Sequence, residues 1–276
     1  MLFIQERWEE YFRYRHEGLG TTYERFILHR YFEKLRQDFD VQNVLEVPSF
    51  GMTGISGINS MWWADQGINV SVVDDNLQRL KKIKQVWQEI SLQAEFIYHQ
   101  GYAQLPFKNK SFDLSWNFAG LWFVTDLDVF FSELVRVTKK TIFLCVPNTS
   151  NIFCAQRIHA ERKDLNLHLD NINPGTIKEI MKKLGWQLKD SGYFDVPPWP
   201  DIAMNKEEIL KKIGLRKINK EIEIREKICI LDYFNKKNLN MEKEILKYGF
   251  LENSFLLFKK LWAHHRYFIF KPGENK

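Results

Sequence analysis

Cysteine is scarce in this chain. Cys145, Cys154 and Cys229 are odd in number, widely spaced and without a CxxC pair. That excludes a disulfide frame or a thiolate zinc site and places reduced thiols in a cytoplasmic protein. No apolar run approaches the ~18 residues of a membrane span. The start, MLFIQERWEE, is charged almost at once, so no secretory leader is expected. Charge of one sign is also lacking: the net value is only +5, and residues 205–260 carry 14 Lys or Arg against 9 Asp or Glu. So mild a surplus, with no reader motif, excludes a specific nucleic-acid target as the expectation. Repeats and low-complexity tracts are absent.

Aromatic residues, in contrast, are abundant: 22 Phe, 10 Tyr and 9 Trp in 276 residues. They suit a bulky core or sizeable apolar pockets. Residues 3–16 and 22–37 read as amphipathic helices broken by Gly18-Leu19-Gly20, with Thr21 and Glu24 spaced as a capping box for the second. From Asn43 onward short apolar runs alternate with helical stretches. Strands are expected at 43–47, 69–74, 94–98, 112–118 and 140–146, and helices at 57–66, 76–91 and 127–136. Such alternation predicts a doubly wound parallel sheet. Pro174 and Gly185 bracket a helix over 175–184, and strands follow at 186–195 and 264–271. Between them, 205–260 reads as a helical insertion. A late hairpin of this kind adds two antiparallel strands to five parallel ones, unlike a two-halved dinucleotide fold.

The stretch most informative about function is NVLEVPSFGMTGISGINSMWWADQGINVSVVDDN, residues 43–76. An apolar strand ends on Glu46, a loop carries Gly51, Gly54 and Gly57, and a second strand ends on Asp74 and Asp75. Loop glycines allow backbone N–H groups to approach a ligand, and an acid closing the second strand suits a ribose diol. One of the two aspartates is expected to cap the next helix, leaving Asp74 for the ribose.

On these motifs the chain resembles a class I S-adenosylmethionine-dependent methyltransferase over roughly residues 40–200 and the last strand. VLEV with the glycine loop, VSVVDDN, HQGYAQLPFKNKSFDLSWNFAGLWFV, ELVRVTKKTIFLCVPN and GWQLKDSGYFDV fall in the family's order. Two departures stand out. Val47-Pro48-Ser49-Phe50 replaces the usual glycine after the first strand, and Gly101-Tyr102-Ala103 stands where an acid often contacts the adenine. The resemblance implies a seven-stranded Rossmann-like fold that binds S-adenosylmethionine and methylates an O, N or C atom of a small or medium-sized acceptor. It implies cofactor contact from Glu46, Phe50, Gly51, Met52, Gly54, Gly57, Asp74, Asp75, Gly101, Tyr102, Ala103, Asn117 and Phe118.

Candidate general bases for a hydroxyl acceptor are His159, His168 and Asp201. His264 and His265 precede a strand with no other ligand type nearby, so no metal is expected. The domain reading is an N-terminal helical lid at 1–40, a cofactor-binding core at 41–204, the insertion at 205–260 and the last core strand at 261–276. SFLLFKKLWAHHRYF, at the end of the insertion, is apolar enough for peripheral lipid contact. Two other functions fit the same residues: a non-catalytic binding or scaffold protein on this fold, and, ranked behind it, a nicotinamide-dependent oxidoreductase. The acceptor and the oligomeric state are not legible in the sequence.

Overall fold

The computed structural model describes residues 4–51, 54–151, 167–197 and 228–273. Met52, Cys154, His159 and Asp201 lie outside them. Seven strands form one sheet: β1 (Asn43–Glu46), β2 (Asn69–Asp74), β3 (Glu95–Tyr98), β4 (Phe112–Phe118), β5 (Thr138–Pro147), β6 (Trp186–Phe194) and β7 (His265–Pro272). Their order is β3-β2-β1-β4-β5-β7-β6. The first five are parallel, and β7 runs antiparallel between β5 and β6. This is the five-plus-hairpin arrangement expected from the element order. β4 is buried on both faces along its whole length. Its polar side chains therefore need partners inside: Ser115 shares a hydrogen bond with Thr138 (2.6 Å), and Trp116 Nε1 donates to Ser60 Oγ (3.0 Å).

Helices cover both faces. α1 (Ile4–Tyr14), α2 (Gly18–Phe39), α3 (Met61–Asp65) and α4 (Leu77–Glu89) enclose one core with Phe32, Trp63, Trp87 and Trp116 at its centre. α5 (Leu127–Val137) and α6 (Pro174–Lys183) cover the other, around Phe130, Phe131, Met181 and Phe268. Asn173 caps α6 through Gly175 N (2.7 Å), with Pro174 in its first turn and Gly185 at φ +78° just past its end.

Local expectations needed three corrections. α2 starts at Gly18 without a side-chain cap, and no Thr21–Glu24 capping box forms. Both residues are buried, because the first half of α2 is embedded in the core. α3 starts at Met61 rather than Gly57, which stands at φ +67° with Ile83 packed 2.7 Å from where a Cβ would be. Asn76, not an aspartate, caps α4 by accepting from Arg79 N (2.9 Å). The described part of the 205–260 segment is built of short helical pieces: α7 (Leu231–Phe234), α8 (Met241–Ile245), a 3₁₀ stretch (Leu246–Asn253) and α9 (Leu256–Trp262).

Candidate functional site

The carboxyl ends of β1, β2 and β4 lie side by side, at the edge of the sheet where open α/β folds bind ligands. The loop leaving β1 is threaded into the sheet itself. Val47 N donates to Trp116 O (3.0 Å) on one side, and Ser49 N to Val73 O (3.0 Å) on the other. The Val47–Pro48 peptide bond is cis. Two glycines then allow approaches that no side chain would permit. A Cβ on Gly51 would stand 2.7 Å from the Phe118 carbonyl oxygen, and one on Gly54, at φ +74°, 2.5 Å from Glu17 Oε1.

Glu46 closes β1 fully buried, accepting from Ser60 N at 3.2 Å. Burial pushes its pKa up to about 7, against the opposing pull of the Ser60 hydrogen bonds. Deeper in the loop, an acid from α2's amino end takes a backbone donor: Ile55 N gives its hydrogen bond to Glu17 (2.7 Å). Arg25 neutralises Glu17 in a buried ion pair and also donates to Ile55 O (3.0 Å) and Asn59. The chain's own carboxylate thus sits on the loop.

Asp74 is likewise engaged. Its Oδ1 accepts from Arg79 Nη2 (2.7 Å) and Asn76 N (2.8 Å), and its Oδ2 from Arg79 Nε (2.9 Å) and Ser49 Oγ (2.6 Å). Four donors use the roughly four lone-pair directions of a carboxylate. The Arg79 guanidinium lies 3.8 Å from the Phe50 ring centroid and 5.8 Å from that of Trp8 on α1. Asp75 is half-exposed and pairs with Arg79 too (2.8 Å). Tyr102 is buried, with its ring edge-on to Phe130 at 6.2 Å, while Gly101 and Ala103 are exposed.

At the end of β4, Asn117 is fully buried and neither amide atom has a protein partner; nor does the buried Ser56 hydroxyl. Phe118 packs on His265 at 4.6 Å. His168 is exposed, its backbone N bonded to Trp122 O (2.8 Å).

The structure therefore places Glu46, Asp74, Asn117 and Phe118 at neighbouring strand ends, with Phe50, Gly51 and Gly54 in the loop leaving β1, whereas Gly57 packs on Ile83 and accepts from Trp87 Nε1 of α4 (2.8 Å). It adds Glu17, Arg25, Ser49 and Arg79, which sequence reasoning passed over. Arg79 left a trace, a cation one helical turn beyond the acid. Glu17 and Arg25 left none, since charges on an aromatic-rich helix normally face solvent.

The fit to S-adenosylmethionine is divided. The buried Glu46 carboxylate and the unpaired amide of Asn117 suit a polar ligand. Asp74 does not fit a ribose diol as it stands, because Arg79, Ser49 and Asn76 saturate it.

Residues 51–146 match the model of the methyltransferase-domain family. No curated protein matches the sequence. Among solved structures, a provisionally assigned sarcosine dimethylglycine methyltransferase from Galdieria sulphuraria superposes with TM-score 0.54 at 13% identity, over 89% of this chain and 85% of that one. The YcgJ protein from Bacillus subtilis gives 0.51 at 11% identity, over 90% and 100%. A provisionally assigned methyltransferase from Bacillus halodurans gives 0.50 at 13%, over 88% and 98%. At such identities the likeness is one of fold. Residues 51–146 thus resemble a methyltransferase domain, set in a seven-stranded sheet of order β3-β2-β1-β4-β5-β7-β6.

Proposed function

We propose that the chain binds S-adenosylmethionine at these strand ends and methylates an O, N or C atom of a small or medium-sized acceptor. The observation that carries the reading is Asn117. An amide buried at the ligand edge of the central strand, with both polar atoms unpaired, costs ~1–3 kcal/mol or more unless a ligand completes it. Glu46, Gly51 and Phe118 lie at the same strand ends, and residues 51–146 match the methyltransferase domain. The Arg79 guanidinium must leave Asp74 before that acid can serve a ribose.

A second reading is favoured by that same pair. Arg79 on Asp74 and Glu17 on the Ile55 N–H occupy the acid of β2 and a loop N–H with the chain's own charges, as in a scaffold that no longer takes the cofactor.

Calorimetric titration of the chain with S-adenosylmethionine and S-adenosylhomocysteine tests both. Micromolar binding by the wild type, lost in Asn117→Leu, supports the enzyme reading and justifies an isotope-transfer screen of acceptors. Absence of binding in a folded wild type, with binding gained in Arg79→Met, supports the self-occupied site instead.

A further inference from the structure

The end of the 205–260 insertion, whose composition suits lipid contact, presents apolar side chains to solvent instead of to the core. Phe250, Phe255 and Leu256 are each 68% exposed and Leu257 61%. No residue of α9 is fully buried. A helix packed for stability alone turns its apolar stripe inward. Exposed apolar residues scattered singly are ordinary on a protein surface, but neighbours of this size mark an interaction site.

The fold holds this helix firmly from behind. Two buried asparagines just after β5 clamp its carboxyl end. Asn148 Nδ2 donates to the carbonyls of Lys260 (2.8 Å) and Ala263 (2.8 Å), and Asn151 Nδ2 to those of Trp262 (2.8 Å) and Ala263 (3.1 Å). Phe258 and Trp262, stacked at 5.8 Å, pack inward with Tyr193 and Val196. With the last turn fixed, the first turn carries Leu256 and Leu257 outward. β7 runs antiparallel, and its first residue, His265, stands beside Pro147 at the end of β5. The helix leading into it therefore arrives at the carboxyl edge of the sheet, where Asn117 and Phe118 also end their strand.

We propose that Phe250, Phe255, Leu256 and Leu257, flanked by Lys259 and Lys260, dock this edge of the protein on an anionic lipid bilayer. Charge selects the occupant. Residues 253–262 hold two lysines and no Asp or Glu. Neither lysine is in an ion pair among the described residues. Glu252, the acid that feels the Lys259 charge, is turned inward, accepting from Tyr23 Oη (2.9 Å) and Val196 N (2.9 Å). A second cationic group borders Phe250. Arg30, Lys243 and Lys247 line an open cleft of about 430 Å³ with Leu239, Leu246 and one acid, Glu242. Gly249, the residue before Phe250, reaches it: a Cβ there would stand 3.4 Å from Arg30 Nη1.

Apolar tips sunk to the acyl boundary, with lysine stems reaching back to the phosphates, are how interfacial anchors bind. Each lysine held near an anionic surface contributes roughly fivefold in affinity. A second copy of the chain suits the patch less well. A two-fold contact centred on α9 sets Lys259 and Lys260 against the same lysines, with no acid in 253–262 to receive them. The docking surface does not depend on whether the strand ends take S-adenosylmethionine.

The test is co-sedimentation of the full chain with vesicles of phosphatidylcholine alone, or with phosphatidylglycerol at a roughly 3:1 ratio, at low and high salt. Anionic vesicles should bind at least ~10-fold more tightly than neutral ones, and less so as salt rises. Affinity should fall at least ~10-fold both in the double variant Leu256→Gln, Leu257→Gln and in Lys259→Gln, Lys260→Gln. Leu188→Gln, at an exposed apolar position near the start of β6 on the opposite edge of the sheet, should bind as wild type does. Should the double variants not fold, hydrogen exchange of the wild type with anionic vesicles must slow across 250–262. No binding to anionic vesicles, equal binding to neutral ones, unchanged affinity in either folded double variant, or exchange slowed only elsewhere would overturn the proposal. A lipid-free dimer that Leu256→Gln, Leu257→Gln dissociates would overturn it too, assigning the surface to a second copy.

Discussion

Arg79 and Asp74 meet in a bidentate pair, Nε to Oδ2 at 2.9 Å and Nη2 to Oδ1 at 2.7 Å, with both side chains almost fully buried. The pair closes the end of β2 that a ribose would need. Removing one partner of a buried ion pair strands the other, at a cost of ~3–5 kcal/mol. Asp74→Asn should therefore lower stability by about that amount in denaturant unfolding. Arg79→Met should cost less, because Ser49 and Asn76 still serve the carboxylate. A double-mutant cycle should return a coupling of roughly 2–3 kcal/mol; additivity within ~0.5 kcal/mol would show that the two residues do not act as a pair.

Gly54 faces the Glu17–Arg25 pair. An alanine there would be strained at φ +74° and would push its Cβ onto Glu17 and Arg25. Gly54→Ala should cost roughly 1–3 kcal/mol in thermal or chemical unfolding. Gly67, also at positive φ but with open space around it, isolates the backbone part of that cost. If Gly67→Ala is equally damaging, crowding against the ion pair contributes nothing.

The pKa of Glu46 is raised in the fold, from 4.5 to about 7. A raised acid stabilises the folded state fully below its unfolded pKa, and that contribution is lost as pH climbs through the folded value. Between pH ~4.5 and ~7 the wild type should lose on the order of 3 kcal/mol through this group, at about 1.4 kcal/mol per unit. Glu46→Gln should flatten the stability curve over that window. Parallel pH profiles for the two proteins would mean that Glu46 titrates normally.

Asn117 predicts a gain. Replacing a buried, unpaired amide with an apolar side chain of similar size removes an unmet desolvation cost. Asn117→Leu should unfold ~1–3 kcal/mol later than wild type in the absence of ligands. A loss of stability would show that the amide is already satisfied within the fold.

Five apolar runs alternating with helices, Pro174 with Gly185, and two late β runs were enough to read the sheet and its closing hairpin. Strands buried on both faces write themselves as continuous apolar runs, and β4 is the clearest case. The acids and glycines of the candidate site were placed on strand ends and a loop as well, because these are local features. The site's occupants were not. Whether Asp74 is open to a ligand depends on the rotamer of a residue in the next helix, and sequence spacing carries no information about that choice.

The sequence by itself determined the order of elements, the parallel sheet with its hairpin, and which acids end β1 and β2, since each follows from periodicity over a few neighbouring residues. Only the tertiary structure decided that α2 carries its charges inward, so that Glu17 meets the glycine loop and Glu24 meets His265. Burial of a charge is settled by partners distant in sequence, and the 241 positions between Glu24 and His265 are closed by packing rather than by any local pattern.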